Sequence, residues 1–320
     1  MMLPAFPDPR YEVQVQNQPT PVSLAFEPTL FNSAEYLAHV SQPGNYSFYL
    51  VRKSTGKVHG LFHVQRQDQQ AFSPFRAPFG SMEISPDLTL KLTEDFARTI
   101  LDFLKTNGVS EVTMKHYPFC YGQSQSALVV NSWLYLDLQI SLSQVNHHLP
   151  VSEISFEELL HQSERRRLQK CRKHGFTFQR EEASFLPEAY DFIAACRQEK
   201  KKPLSLSEPQ LQALFELFPD RYLIFSVKKG QELAAVTVAV KVRSDILLTV
   251  YPASPYAFNN FSPAVMLNEG LYGFCQADKI GMLDYGISGV KEDPHYSLMH
   301  FKERMGGLAS LKLTFTGKLN

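Results

Sequence analysis

The sequence has no excess charge of either sign. Its 32 basic and 32 acidic side chains give a formal net charge of zero, so we expect no general attraction to nucleic acid or acidic membranes. It has no apolar run of about 18 residues, the length of a membrane-spanning helix, and residues 1–10 lack the charged-then-apolar pattern of a secretory signal. The sequence therefore predicts a cytoplasmic protein without a membrane span, in which any polyanion site is local.

Cysteine is scarce, and metal and nucleotide motifs are missing. The four cysteines form no Cys-x-x-Cys pair, which is typical of a reduced intracellular protein. The ten histidines show no metal-ligand spacing, so no metal site is predicted. Glycine fingerprints of nucleotide sites and the Gly-x-Ser-x-Gly nucleophile turn do not occur. Dehydrogenase, kinase and serine-hydrolase functions therefore have no support.

What the sequence does contain is one element order that occurs twice. In residues ~46–116 and again in ~222–288, alternation and periodicity predict strand, turn, strand, strand, loop, helix and strand. A length of 320 residues with 44% hydrophobic residues suits two domains of ordinary size. We predict an α/β fold with two mixed sheets and two domains, 1–150 and 151–320, the second carrying the active site.

The segment between the two halves is predicted to hold a strand at 134–140 and a basic helix at 156–174. In that helix Arg166, Lys170 and Lys173 recur at i, i+4 and i+7 and so share one stripe. Either the stripe is a solvated helix face, or it binds a phosphate-bearing partner such as RNA, a nucleotide-linked sugar or coenzyme A. On the second interpretation, these three residues line a groove between the halves.

The stretch 246–307 contains most of the candidate site residues. A strand, a polar loop feeding a helix N-terminus and a parallel strand would offer backbone N–H groups and a positive dipole end to an acyl or phosphate group. Ser262, just before Pro263, is expected to cap that helix with its hydroxyl. The candidates for binding substrate or donor are Thr249, Val250, Tyr251, Asn259, Asn260, Ser262 and Tyr285.

Three titratable residues are candidates for catalysis. Asp284 lies on the polar face of a strand that otherwise reads as central, so it is either fixed by backbone amides or functional. Lys302 follows Phe301 on a short helix before a glycine pair, where the alternative is an ordinary surface lysine. His295 can titrate near neutrality, although a surface or packing role is the alternative.

Three segments, in their order and spacing, resemble the Fem-like branch of the GNAT acyltransferase superfamily. They are the arginine- and lysine-rich helix SERRRLQKCRKHGF at 163–176, LDYG at 283–286 and FKERMGG at 301–307. The helix start Asn260-Phe261-Ser262-Pro263 also fits this pattern. The resemblance implies two tandem GNAT-like domains, with the acyl-CoA N-acyltransferase fold, in a bacterial transferase.

The resemblance also implies a reaction. An acyl or aminoacyl group would pass from a thioester or aminoacyl-tRNA donor to an amine on a small-molecule or nucleotide-linked acceptor, and Lys302 would stabilise the charge that develops. Acyl-CoA as donor has no support from a motif, because the loop 252–257 lacks the glycines of the usual pyrophosphate loop.

Acyl transfer to an amine needs a deprotonated nitrogen and a polarised carbonyl held in line. We expect Asp284 or His295 to accept the proton, Lys302 to meet the oxyanion and the backbone at 249–251 to polarise the carbonyl. The alternative is a catalytically silent GNAT-fold module that binds a nucleotide-linked or RNA ligand. A cleft filled by Tyr251 and Tyr256 would favour this alternative.

Overall fold

The computed structural model describes residues 4–17, 19–40, 42–74, 76–290 and 293–319. Contacts between residues divide the chain into unit 1, residues 1–145 and 310–320, and unit 2, residues 146–309. The predicted ranges 1–150 and 151–320 differ from these units chiefly at the C-terminus, because residues 314–318 pair with a strand of unit 1.

The elements are numbered in chain order. The strands are β1 Tyr11–Gln16, β2 Asn45–Arg52, β3 Lys57–Gln67, β4 Gln70–Ser73, β5 Glu83–Ile84, β6 Glu111–Lys115, β7 Gln139–Pro150, β8 Phe176–Glu181, β9 Tyr222–Lys229, β10 Glu232–Arg243, β11 Ile246–Ala253, β12 Met282–Ile287, β13 Gly289–Val290, β14 Asp293–Pro294 and β15 Leu308–Lys318. The helices are α1 Ala34–Val40, α2 Leu90–Thr106, α3 Gln123–Tyr135, α4 Phe156–Leu159, α5 Gln162–Lys173, α6 Leu186–Glu199, α7 Glu208–Leu217, α8 Pro263–Ala277 and α9 Tyr296–Arg304.

Unit 1 is built on a mixed sheet against which α2 packs. Strands β1 to β4 pair antiparallel in order, β4 pairs parallel with β6, and β6 pairs antiparallel with β15. The apolar stripe of α2 is buried at Leu92, Phe96, Ile100 and Leu104, as its four-residue spacing predicts. These side chains share one core with Trp133 of α3.

Unit 2 repeats this plan. Strands β8, β9, β10 and β11 pair antiparallel in order, β11 pairs parallel with β12, and β12 pairs antiparallel with β7. The single parallel pair requires a crossover, which α8 supplies, just as α2 lies between β4 and β6. The predicted repetition of element order is therefore present, and the senses of strand pairing repeat with it.

Three local predictions were wrong. The strand expected at 134–140 begins only at Gln139, because residues 134–135 belong to α3. The basic helix expected at 156–174 is two helices, α4 and α5, with Leu160 in an extended conformation between them. Helices α3 and α6 were not predicted, and the weak amphipathic pattern of α3 explains why.

Helix α8 lies unusually close to strand β8 at Gly270. A Cβ atom on Gly270 would be 2.2 Å from the ring of Phe178, whereas one on Gly273, in the same helix, would meet nothing within 4 Å. The Phe178 ring is itself stacked on Phe225, with centroids 5.7 Å apart. The ring therefore has little freedom to move away, and Gly270 is needed for this packing.

We predict opposite effects of alanine at these two glycines. Gly270→Ala should destabilise the protein by roughly 1–3 kcal/mol, because overpacking forces side chains or backbone to shift. Gly273→Ala should stabilise it by about 0.5–1 kcal/mol, because alanine restricts the unfolded chain and favours helix. Denaturant unfolding of the two variants measures both, and equal effects would contradict the close approach at Gly270.

Candidate active site at the open end of strand β12

The parallel pair of β11 and β12 is short. It contains three residue pairs and ends at Leu248 and Asp284, although β11 continues to Ala253 and β12 to Ile287. Past this point each strand has a residue in the left-handed region, Tyr251 with φ of +56° and Gly286 with φ of +70°. The two strands therefore stop pairing here, and several backbone groups past this point bond to side chains instead, as the carbonyls of Gly286 and Ile287 do to Lys302.

Asp284 stands where the strands separate. Its carboxylate is fully buried, and Oδ1 accepts hydrogen bonds from Asn146 Nδ2 at 2.8 Å and from the backbone N–H of Gly286 at 2.7 Å. The hydroxyl of Thr249 donates to the Asp284 carbonyl oxygen at 3.1 Å, across the end of the pair. Asp284 was expected to be either fixed by backbone amides or functional, and the hydrogen bond from Gly286 shows that a backbone amide does hold it.

Lys302 is not a surface lysine. It is 5% exposed, and Nζ donates to the carbonyl oxygens of Gly286 at 2.7 Å and Ile287 at 2.9 Å. Burial lowers the pKa of Lys302 from 10.5 to about 8, although the charge of Asp284 acts in the opposite direction. An ammonium has three donors, and within the described residues the third has no acceptor.

One peptide group joins these two side chains. The N–H of Gly286 donates to Asp284, and its carbonyl accepts from Lys302. The register between β12 and β7 shifts by one residue at this point, which is the geometry of a β-bulge. A positive φ at the bulge favours glycine, so the sequence Asp-Tyr-Gly at 284–286 suits this arrangement.

Sequence reasoning missed the histidines of β7. His147 lies opposite Gly286, and His148 lies opposite Asp284. Burial lowers the pKa of His147, as does the charge of Lys302, while burial lowers the pKa of His148 against the charge of Asp284. The adjacent histidines are visible in the sequence, but without a metal-ligand spacing they carry no local signal for this position.

Several buried polar atoms on β7, on β12 and directly after β12 lack partners. Within the ranges that the structure describes, no hydrogen-bond partner exists for His147 Nδ1 and Nε2, His148 Nδ1, Tyr285 Oη and Ser288 Oγ. Most buried polar atoms in proteins have at least one partner, and burial also raises the pKa of Tyr285. Buried atoms without partners also occur in unit 1, for example in Asn45, His63 and His116, so binding of a polar ligand is one way to complete the hydrogen bonds of those in unit 2.

His295 is held away from this cluster. It caps α9, where its Nδ1 accepts from the backbone N–H of Leu298 at 3.2 Å and lies 3.2 Å from Ser297 Oγ. Among the described residues, its ring has no hydrogen bond or ion pair with Asp284 or Lys302. The expected role of His295 as proton acceptor therefore stays a prediction, and none of its described contacts supports it.

The described contacts of Tyr251 and Tyr256 are with α6 and the segment that follows it. The Tyr251 hydroxyl forms a short hydrogen bond with Ser205 Oγ, and Arg197 lies 5.6 Å from the Tyr251 ring centroid. Tyr256 is half exposed beneath Lys200. The Val250 carbonyl accepts from Thr237 Oγ1 at 3.1 Å.

The loop between β11 and α8 was expected to present N–H groups to a donor. Instead its N–H donors are largely used by protein acceptors, and prolines supply none. Those that donate within the protein are the N–H groups of Tyr256, Phe258, Asn259, Phe261 and Ser262. Ser262 has φ of +58° and, in the described part of the chain, makes no side-chain cap, so that prediction was wrong. The loop does not form a cradle of consecutive N–H groups for a pyrophosphate.

In the predicted basic stripe on α5, one residue packs within the protein and two are exposed. Lys170 Nζ donates to the carbonyl of Asn260 at 2.7 Å and lies 4.8 Å from the Phe261 ring centroid, so it packs α5 against the loop before α8. Arg166 and Lys173 are exposed and form no ion pair or hydrogen bond with any described residue. Only these two remain available to a partner.

In the described residues, no group of three or more His, Cys, Asp or Glu side chains could hold a metal ion. Among the helices described, none is both long and apolar enough to cross a membrane.

The chain is similar to several solved structures. FemX matches with a TM-score of 0.67 and 12% identity over 91% of this chain and 92% of that chain. A C-terminal domain assigned to a lysylphosphatidylglycerol synthetase from Agrobacterium fabrum matches with a TM-score of 0.57 and 10% identity over 90% and 87%. L-PGS from Bacillus licheniformis matches with a TM-score of 0.55 and 14% identity over 85% and 84%.

No protein-family profile and no curated protein sequence matches the chain. At these identities the structural matches establish the fold alone, and they confirm the predicted Fem-like fold of mixed α/β sheets.

The buried ammonium predicts a pH-dependent stability. Between pH 8 and 10.5 the unfolded chain keeps a proton on Lys302 that the folded chain has lost, so the free energy of unfolding should rise with pH. The full rise corresponds to roughly 3 kcal/mol. Lys302→Met has no such titration. Denaturant unfolding of both proteins from pH 7 to 10 should give a difference that grows with pH, and a constant difference would contradict the burial of the charge.

Proposed function

We propose that the protein is a transferase that moves an acyl or aminoacyl group from an activated donor to an amine. The observation that carries this proposal is Lys302, a buried ammonium with one unused donor at the open end of β12. A positive charge fixed in a site of low dielectric stabilises a developing oxyanion far better than a charge in water does. The Fem-like fold is consistent with this chemistry.

Each step of the reaction has a group suited to it. The amine attacks the carbonyl carbon of the donor, and the carbonyl oxygen becomes an oxyanion that the third N–H of Lys302 meets. Asp284 fixes the Gly286 peptide on which Lys302 rests, so its role is to position the ammonium. Backbone groups of 249–251, beside the separated strands, orient the donor carbonyl.

Among donors, we favour an aminoacyl-tRNA over acyl-CoA. The loop after β11 uses most of its N–H groups internally, and the Glu199 carboxylate accepts from Tyr256 N at 3.0 Å at its start. A carboxylate there repels a diphosphate. The exposed Arg166 and Lys173 are suited to the phosphates of an RNA. The name of one structural neighbour, a lysylphosphatidylglycerol synthetase, adds a lipid acceptor to those worth testing.

Removal of the Lys302 charge tests the proposal. The wild type is assayed with alanyl-tRNA, lysyl-tRNA and acetyl-CoA as donors, and with a nucleotide-linked muropeptide or phosphatidylglycerol vesicles as acceptors. Lys302→Met keeps the stem but removes the charge, so turnover should fall on the order of 100-fold or more with donor binding nearly kept. Lys241→Met, which removes a lysine paired with Asp278 on the unit 2 surface, is the control. Normal turnover in Lys302→Met would exclude the oxyanion role.

A second experiment tests the RNA donor. The double variant Arg166→Glu, Lys173→Glu should weaken binding of tRNA, and the slope of log affinity against log salt should fall by about 2, because two phosphate contacts are lost. Lys53→Glu, Lys57→Glu makes the same charge change at exposed positions of unit 1 and should have little effect. Affinities from filter binding at several salt concentrations decide this. If both double variants bind tRNA as the wild type does, the stripe is a solvated face. Tight tRNA binding without transfer from any donor would instead favour the silent binding module.

A further inference from the structure

His147 is buried with neither ring nitrogen satisfied. The residue is 1% exposed, and within the described ranges both Nδ1 and Nε2 are without a hydrogen-bond partner. An unsatisfied buried polar group destabilises the folded state, and an apolar side chain of similar size would avoid this cost.

Charged groups surround His147. Lys302 rests on the carbonyl of Gly286, the residue directly opposite His147 in the sheet. From α9, Glu303 Oε1 lies 3.8 Å from His147 Nε2. The other titratable groups nearby are His148, next to it on β7, and Asp284 and Tyr285 on β12. The cation of Lys302 and the carboxylate of Glu303 therefore act on the imidazole in opposite directions, the first lowering its pKa and the second raising it.

A second buried histidine, His116, lacks the charged neighbours that His147 has. In unit 1, His116 is fully buried and, among the residues described, both of its nitrogens also lack partners. Its ring packs on Tyr117, with centroids 4.0 Å apart, and burial alone lowers its pKa, to about 3. His116 thus matches His147 in burial but has no charged neighbour that alters its pKa, so it offers a control.

We propose that His147 is the proton acceptor of the transfer reaction, an inference that rests on the transferase function proposed above. Its neighbours suit a group that starts neutral and becomes charged only briefly. The Lys302 ammonium disfavours a second cation in the resting site. Once a proton arrives, the Glu303 carboxylate stabilises the imidazolium.

The proton balance is complete without another reactant. The amine nitrogen forms the bond to the carbonyl carbon, and the bond from that carbon to the donor's oxygen or sulfur breaks, with the electron pair leaving on that atom. The nitrogen then carries one proton too many. His147 takes this proton on a ring nitrogen and gives it to the departing oxygen or sulfur, so the imidazole ends neutral, as it began.

The test combines turnover with stability. His147→Leu and His147→Gln are assayed with the donor and acceptor that the wild type uses, beside His116→Leu. Turnover of both His147 variants should fall ~100-fold or more, and the acidic limb of the wild-type pH profile should vanish. The melting temperature of His147→Leu should be unchanged or higher, because two unsatisfied nitrogens are removed. His116→Leu should keep full turnover. If His147→Leu does not fold, His147→Gln alone decides.

An independent readout is the imidazole titration by NMR, with the His147 signal identified by its loss in His147→Gln. In the wild type it should titrate below the usual range of histidine, and in Lys302→Met it should titrate at higher pH, because the cation is gone. An unchanged titration, or His147 variants with wild-type turnover or an intact acidic limb, would overturn the proposal while leaving the transferase standing. A wild type that transfers nothing from any donor would overturn both proposals.

Discussion

The arrangement of the site depends on the backbone of Gly286. Its N–H donates to Asp284, and its carbonyl accepts from Lys302. Burial of an ammonium is unfavourable unless its donors are satisfied and an opposite charge is near. Two carbonyls accept from two of the three donors of Lys302, and the Asp284 carboxylate supplies the opposite charge. They do so only because the bulge at Tyr285 and Gly286 turns the strand so that both carbonyls reach one lysine. Loss of either side chain would leave the other buried charge without compensation.

The two units share one plan but not one site. In unit 1 the parallel pair of β4 and β6 has four residue pairs. Beyond it Gly80 bridges to His116 in the same sense and donates its N–H to the Lys115 carbonyl at 2.9 Å. The end of β6 is therefore covered by its own loop. In unit 2 the corresponding pair ends after three residues, and the carbonyls of Gly286 and Ile287 beyond it accept from Lys302.

Some polar side chains on and beside β12 lower the stability of the fold but could bind a ligand. The described atoms of His147, Tyr285 and Ser288 that lack partners would be better replaced, for stability alone, by apolar groups of the same shape. Sites that bind polar ligands commonly keep such groups, because the ligand completes their hydrogen bonds. Unit 2 therefore holds the features expected of a binding or catalytic site.

The sequence by itself determined the order of strands and helices in each half. It also marked Asp284 and Lys302, because alternation, caps and glycine pairs are read over a few neighbouring residues. Local patterns did not decide how α4 and α5 separate at Leu160, or that residues 314–318 pair with β6. Only tertiary structure brought His147 opposite Gly286, more than a hundred residues later in the chain. The same holds for Lys170, whose charge is used to pack α5 on the Asn260 carbonyl. The physical reason is that strand pairing and burial depend on contacts between distant residues, which no short-range periodicity records.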